Sequence, residues 1–292
     1  MLSFTFIMSS IDLGSSSLLN MLMCESRTWL QRPSPFCTVK GIDNLTPLSP
    51  LHCLFNALRM SSHYKRHCFP TEIISYCVWL YYTFPLSFRD IEKMMLYRGI
   101  PVTYEAIRGW CIKFARAYAN QLRRRRPKPA DKWHLDEVVI KIKGKQYYLW
   151  RAVDKNGQVI DILMQSRRNE RAAEKFFRKL LKPQDAVPRV IITDKLKSYG
   201  AAKKKILKGV DHRQHKGLNN RVENSHRPTR VRERRMGRFK SPGQAQRFLS
   251  AFEPIRGHFH PHQPKLPATE YRATMSQRFE SWRELTGLNA VV

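Results

Sequence analysis

Cysteine is sparse and unpatterned. The six residues Cys24, Cys37, Cys53, Cys68, Cys77 and Cys111 form no CxxC pair, and none lies beyond Cys111, so neither a zinc ribbon nor a disulfide framework is expected. Long apolar runs are missing as well. No stretch of roughly 20 apolar residues or long amphipathic basic helix is present, which argues against a membrane span or a membrane-surface protein. The opening MLSFTFIMSSIDLGSSSLLNMLM lacks the basic flank of a signal peptide and carries Asp12 inside its apolar part, so a reducing cytoplasm is the expected location. Acid is the scarcest resource: 23 Asp and Glu stand against 53 Lys and Arg, for a formal net charge of +30 over 292 residues.

That charge is unevenly spread, at +1 for residues 1–59, +9 for 60–130 and +20 for 131–292. A polyanion is the expected partner of the last two segments, because cations that neutralise phosphates release condensed counterions. The length leaves ample chain for a buried core in one or two domains. Residues 1–59 carry few charges and no sustained period, and they read as a poorly ordered extension.

From Thr71 onward, Ile74, Cys77, Val78 and Tyr81 make the apolar stripe of a helix that Pro85 ends. Ser87 and Asp90 form a capping box for a short helix with Ile91, Met94 and Met95 inward, closed by Gly99. A third helix starts at Thr103. Ile107, Trp110, Cys111, Phe114 and Tyr118 face its core, and Tyr104, Arg108 and Lys113 lie off the stripe. This pattern predicts a helix-turn-helix domain over 60–122 whose last helix reads DNA, with a plain three-helix bundle as the competing reading. Residues 123–130, with Arg124, Arg125 and Arg126, read as a basic linker that tracks phosphates.

At Trp133 the period changes to two. Val138, Ile140 and Ile142 alternate with Val139, Lys141 and Lys143, and turns at Gly144 and at Asp154 to Gly157 punctuate three successive antiparallel strands. Asn169 caps a helix with Ala173, Phe176, Phe177, Leu180 and Leu181 inward, and Arg189 to Thr193 is the apolar run of a buried parallel strand. This order predicts an α/β ribonuclease H-like catalytic core over 131–257, followed by a tail or helix over 258–292. Ser241-Pro242 begins a further core helix with Ala245, Phe248, Leu249, Phe252 and Ile255 inward.

Three carboxylates stand out in that core. Asp136 lies on the first strand, Asp194 ends the parallel strand 58 positions later, and Glu223 opens a helix 29 positions beyond that. Convergent acids repel unless divalent cations sit between them, and two Mg²⁺ or Mn²⁺ ions so held can clamp an in-line phosphodiester displacement. Read singly, each acid also fits a turn former or a surface ion pair. Glu137 could serve in place of Asp136, but strand alternation lets only one of the two face the site. His226 and Arg227 follow Glu223 by one turn and Arg230 by two, with Pro228 expected to kink the helix. Between Lys195 and Arg247 seventeen Lys and Arg meet three acids; Lys195, Lys197, Arg227, Arg230, Arg232, Arg234 and Arg235 are the expected DNA contacts, with His226 in support.

The strings WHLDEVVIKIKGKQYYLWRAVD, VIITDKLKSYGAA and NNRVENSHRPTRVRERRMGRFKSPGQAQRFLS, with FPTEIISYCVWLYYTFPLSFRDIEKMMLYRGIPVTYEAIRGW ahead of them, resemble the DDE transposases of bacterial insertion sequences. The resemblance covers roughly residues 60–255 and is nearest to the compact group called insertion-sequence family six. It implies that Asp136, Asp194 and Glu223 match the catalytic triad, and that Arg230 matches a basic position contacting the element end. It also implies two Mg²⁺ or Mn²⁺ ions, and double-stranded DNA partners in the form of terminal inverted repeats and target DNA. A homodimer or larger assembly and a bacterial, nucleoid-associated location follow in the same way. Residues 1–59 have no counterpart in that pattern and Met60 would make a natural start; the sequence beyond Gly257 departs from it too. Two other readings stay open on the residues: a DNA-binding regulator or decayed copy, and a structure-selective nuclease of the same fold that hydrolyses without strand transfer.

Overall fold

The computed structural model describes residues 64–182, 187–194, 196–214, 219–260 and 266–287. The extension expected over 1–59 lies outside the described residues. Two units divide the chain, Met1–Phe69 and Pro70–Val292, and the second carries everything below.

Three helices lead. α1 (Thr71–Thr83) buries Ile74, Cys77, Val78 and Tyr81 on one stripe, and the chain turns extended at Phe84, just before Pro85. α2 (Phe88–Leu96) starts on the expected capping box: Ser87 Oγ accepts from the Asp90 N–H at 3.1 Å while Asp90 Oδ2 accepts from the Ser87 N–H at 2.8 Å. Gly99, at φ +73°, lets the chain reverse so that the Ile100 N–H returns to the Met95 carbonyl. α3 (Tyr104–Arg125) begins at the Thr103 cap and buries Ile107, Trp110, Cys111, Phe114 and Tyr118. It runs as far as Arg125, so Arg123, Arg124 and Arg125 belong to the helix and not to the expected linker. Straight-chain Arg favours helix, and basic residues in a last turn complement the dipole.

Five strands then form one sheet in the order β3-β2-β1-β4-β5. β1 (Lys132–Ile142), β2 (Lys145–Asp154) and β3 (Val159–Gln165) are antiparallel, whereas β4 (Val190–Thr193) and β5 (Asp211–Gln214) run parallel to β1. This is the ribonuclease H-like arrangement. Lys143 and Gly144, both at positive φ, make the two-residue turn between β1 and β2, the turn whose twist matches paired strands.

α4 (Glu170–Leu181) and α5 (Lys197–Ile206) cover one face of the sheet. There Trp133, Leu135, Trp150, Phe176, Phe177, Ile191 and Tyr199 pack as a buried core, each large side chain worth about 1.5–3 kcal/mol relative to exposure. The opposite face carries α6 (Asn220–Arg235) and α7 (Pro242–Phe259). α7 packs in turn against α1 and α3. After Gly257 the chain does more than trail off: α8 (Ala268–Leu285) sets Trp282 against Tyr118 of α3 and Phe259 of α7, at 5.2 and 5.4 Å between ring centroids.

Candidate active site

β1 is eleven residues long and β4 only four, so β1 overhangs its parallel neighbour. Their pairing runs Lys132 with Val190, Trp133 with Ile191 and His134 with Ile192. Continued two residues further, that register sets Asp136 across from Asp194, just past the carboxyl end of β4, where ligands of parallel sheets gather. Asp194 is held in a tight turn by its own side chain, Oδ1 accepting the Leu196 N–H at 3.1 Å.

Asp136, Glu137 and Asp194 each bring a carboxylate oxygen within 4.8 Å of the others. The alternation argument, that only one of Asp136 and Glu137 can reach the site, does not hold at this lip. The two side chains do leave β1 on opposite faces. Glu137 pairs in register with Trp150 and meets Tyr199 on the α5 side, while Asp136 pairs with Arg151 and meets His226 on the α6 side. Beyond the last β4 pair no strand separates the two faces, and both carboxylates close on Asp194.

Crowded and partly buried, Asp136 and Glu137 are hard to ionise. Burial and then the neighbouring Asp194 charge raise Asp136 to about 6, although a backbone N–H at Glu137 pulls the other way. Burial likewise raises Glu137 to about 7, against the Tyr199 hydrogen bond that favours the carboxylate. The Glu137 side chain is only 1 % exposed, and both its oxygens are taken: Oε1 accepts from Arg168 Nε at 2.5 Å, Oε2 from the Tyr199 hydroxyl at 2.7 Å. Arg168 also reaches Asp194 Oδ2, at 3.4 Å.

On the other face His226 Nε2 lies 3.3 Å from Asp136 Oδ2. Burial, with Arg151 nearby, lowers the imidazole to about 3, so it is neutral and the contact is no ion pair; neither ring nitrogen has an aligned hydrogen-bond partner. Hard oxygen donors at this spacing, with an orphaned imidazole beside them, form a set that fits a divalent cation. Glu223 stands outside the group, exposed on the first turn of α6.

The expected DNA contacts divide. Arg108 and Lys113 are exposed on α3, with Arg108 paired to Glu105, while Tyr104 is half-buried under the Arg89 guanidinium. Arg124, Lys197, Arg227 and Arg234 are exposed. Arg125 pairs with Glu284, Arg235 with Asp90, and Arg230 donates to the Val139 carbonyl of β1. Arg126 is drawn inward, donating to the Val159 and Ile160 carbonyls of β3. Arg232 is not a DNA contact. It is 1 % exposed, stacks on the Tyr81 ring and donates to the Phe84 and Leu86 carbonyls, tying α6 to the turn between α1 and α2. That turn leaves carbonyls without helical donors, and a buried guanidinium supplies them. Lys195 lies outside the described residues.

Sequence reasoning missed Arg151, Arg168 and Tyr199. Arg151, a charge set between Trp150 and Ala152 in the buried half of β2, is the one with a visible signal. It donates to the Ser225 carbonyl at 2.8 Å and to Thr229 Oγ1 and Glu253 Oε1 at 2.5 Å, which fastens α6 and α7 to β2. Pro228 has no N–H to return to α6, and Arg151 grips that same turn through Ser225 and Thr229.

A family profile described as a DDE domain matches residues 130–262. The transposase for the insertion sequence-like element IS431mec of Staphylococcus aureus (strain Mu50) is 32 % identical over 199 residues, 66 % of this chain and 87 % of that protein. The transposase for insertion sequence element IS257 in transposon Tn4003, also from Staphylococcus aureus, matches to the same extent. Among solved structures, the HTLV-2 integrase catalytic core domain in complex with magnesium aligns with a TM-score of 0.35 and 16 % identity, over 49 % of this chain and 94 % of that one. The Mos1 transposase catalytic domain aligns with 0.33 and 14 %, over 60 % and 94 %.

Proposed function

Because the chain belongs to the DDE transposases of bacterial insertion sequences, in the group called insertion-sequence family six, we propose that it binds the terminal inverted repeats of its element, nicks their 3′ ends and joins them to target DNA. The observation that carries this reading is the meeting of Asp136, midway along β1, with Asp194 just past the carboxyl end of the adjacent β4. Two Mg²⁺ or Mn²⁺ ions bound there would supply the Lewis acidity for in-line displacement at phosphorus, by water first and by the DNA 3′-hydroxyl second.

Asp136, Asp194 and Glu223 are the proposed ligands. Glu137 is the less suitable third acid, since Arg168 and Tyr199 already occupy its two oxygens, whereas Glu223 is exposed one turn ahead of the His226 that touches Asp136. His226, neutral and buried 3.3 Å from Asp136, is the proposed supporting residue. Among the described residues no helix is long and apolar enough to cross a membrane, and bacterial cytoplasm beside the nucleoid is the proposed location.

DNA would lie along the exposed cations. Residues 70–125 form the proposed end-reading region, with Arg108, Lys113 and Tyr104 on α3 facing bases, and Arg124, Lys197, Arg227, Arg230 and Arg234 holding phosphates. Paired ends call for a homodimer or larger assembly on DNA. The test is strand transfer by purified full-length protein with Mg²⁺ or Mn²⁺: Asp136→Asn, Asp194→Asn and Glu223→Gln should each abolish cleavage and joining while end binding in gel shifts survives. Full strand transfer by any of the three removes that residue from the ligand set.

A further inference from the structure

We propose that Arg168 is a built-in counter-ion of the acid group, competing with a divalent cation for Asp194 and so setting how tightly the site takes metal. The inference rests on the metal-binding reading of Asp136 and Asp194. Arg168 lies in the loop between β3 and α4, and its guanidinium bridges two acids unequally. The Nε contact to Glu137 is 2.5 Å, whereas the contact to Asp194 Oδ2 is a long 3.4 Å. Glu137 is buried and further fixed by Tyr199, while the Arg168 side chain is 42 % exposed. The guanidinium can therefore pivot off Asp194 while it stays on Glu137.

Competition follows from charge and from lone pairs. A cation between Asp136 and Asp194 draws on the Asp194 Oδ2 that Arg168 faces, and a guanidinium a few ångströms away repels it. Arg151, on the far side of Asp136, is spent on Ser225, Thr229 and Glu253 and is not free to take over Asp194. Whatever stabilises the acids without metal lowers their apparent affinity for metal, by linkage. Glu137 is then a positioning residue that stations the counter-ion at the rim.

The sign of the effect separates this role from a structural one. Removing an arginine that merely supports the site would weaken metal binding; removing a competitor tightens it. Mn²⁺ affinity of chelator-treated, full-length, DNA-free protein can be read by titration calorimetry. Arg168→Ala and Arg168→Gln should bind Mn²⁺ roughly three- to tenfold more tightly than wild type, the partial exposure of the pair holding the gain to that range. Arg168→Lys, with its charge kept, should remain within about twofold of wild type. Gln retains an N–H for the buried Glu137 carboxylate, so Arg168→Gln decides the matter if Arg168→Ala does not fold. Unchanged or weaker Mn²⁺ binding in a folded Arg168→Gln protein overturns the proposal. Wild-type Mn²⁺ binding that Asp194→Asn leaves intact would instead overturn the metal-site reading beneath it.

Discussion

Two arginine–carboxylate arrangements flank β1 and β2, and they are built to opposite ends. On the α6–α7 face, Arg151 and Glu253 are 1 % and 8 % exposed, and the guanidinium is further engaged by a carbonyl and a hydroxyl from α6. At the lip of the sheet, one half-exposed Arg168 faces three crowded carboxylates, two of them raised to about 6 and about 7. The first is a closed clasp in which one buried charge meets its opposite. The second is under-neutralised, and that deficit is what a cation site requires. A buried pair of the first kind holds helices in place; an open cluster of the second kind stores repulsion that ligand binding relieves.

The sharpest way to break this contrast is Asp194→Asn. It should cut strand transfer by at least about 10³-fold, yet leave the melting temperature unchanged or slightly higher, because it removes a like charge from the cluster. A large loss of stability would show that the lip is structural after all.

Next comes the clasp. Arg151→Ala should cost about 3–5 kcal/mol in urea unfolding by leaving Glu253 buried without its partner, and Arg151→Met with Glu253→Gln should recover part of that loss. A cost below about 1 kcal/mol would put Arg151 in the same class as a surface pair.

A third comparison sets two arginines two residues apart on α6. Arg232→Ala should destabilise by about 2–3 kcal/mol, since the Phe84 and Leu86 carbonyls lose their donor, whereas Arg234→Ala should change stability by no more than about 0.5 kcal/mol. DNA affinity and its salt slope should reverse the order of importance, with the slope falling by about one phosphate contact for Arg234→Ala.

The smallest expected effect concerns Asp90, held down to about 2 first by the Ser87 N–H and then by Arg235. A depressed carboxyl contributes stability that is present above its unfolded value near 4 and lost as pH falls toward 2. Asp90→Asn should therefore flatten the acid limb of a pH–stability curve over that window and leave the neutral limb's shape unchanged. The raised acids at the lip would give the opposite slope.

The capping box at Ser87, the apolar stripes of α1 and α3, the alternation of β1 and the cap at Asn169 all read correctly from the sequence, because each depends on residues within four positions of one another. The parallel strand β4 was equally legible, as a short run of buried apolar residues. β5 was not: Asp211-His-Arg-Gln carries no apolar signal, and only pairing with β4 makes it a strand at the sheet edge. Asp136 and Asp194 could be singled out because fold order places their strands side by side.

What local sequence determined, then, was the type of each element and which of its faces is apolar. Tertiary structure alone decided that Glu137 joins the acids despite strand alternation, that Arg168 bridges two of them, and that Arg232 is buried while Arg234 two residues on is exposed. The physical reason is range. Caps, turns and stripes are settled within a turn of helix or a pair of strand residues, but the fate of a charge depends on which partners and how much water the whole fold brings to it.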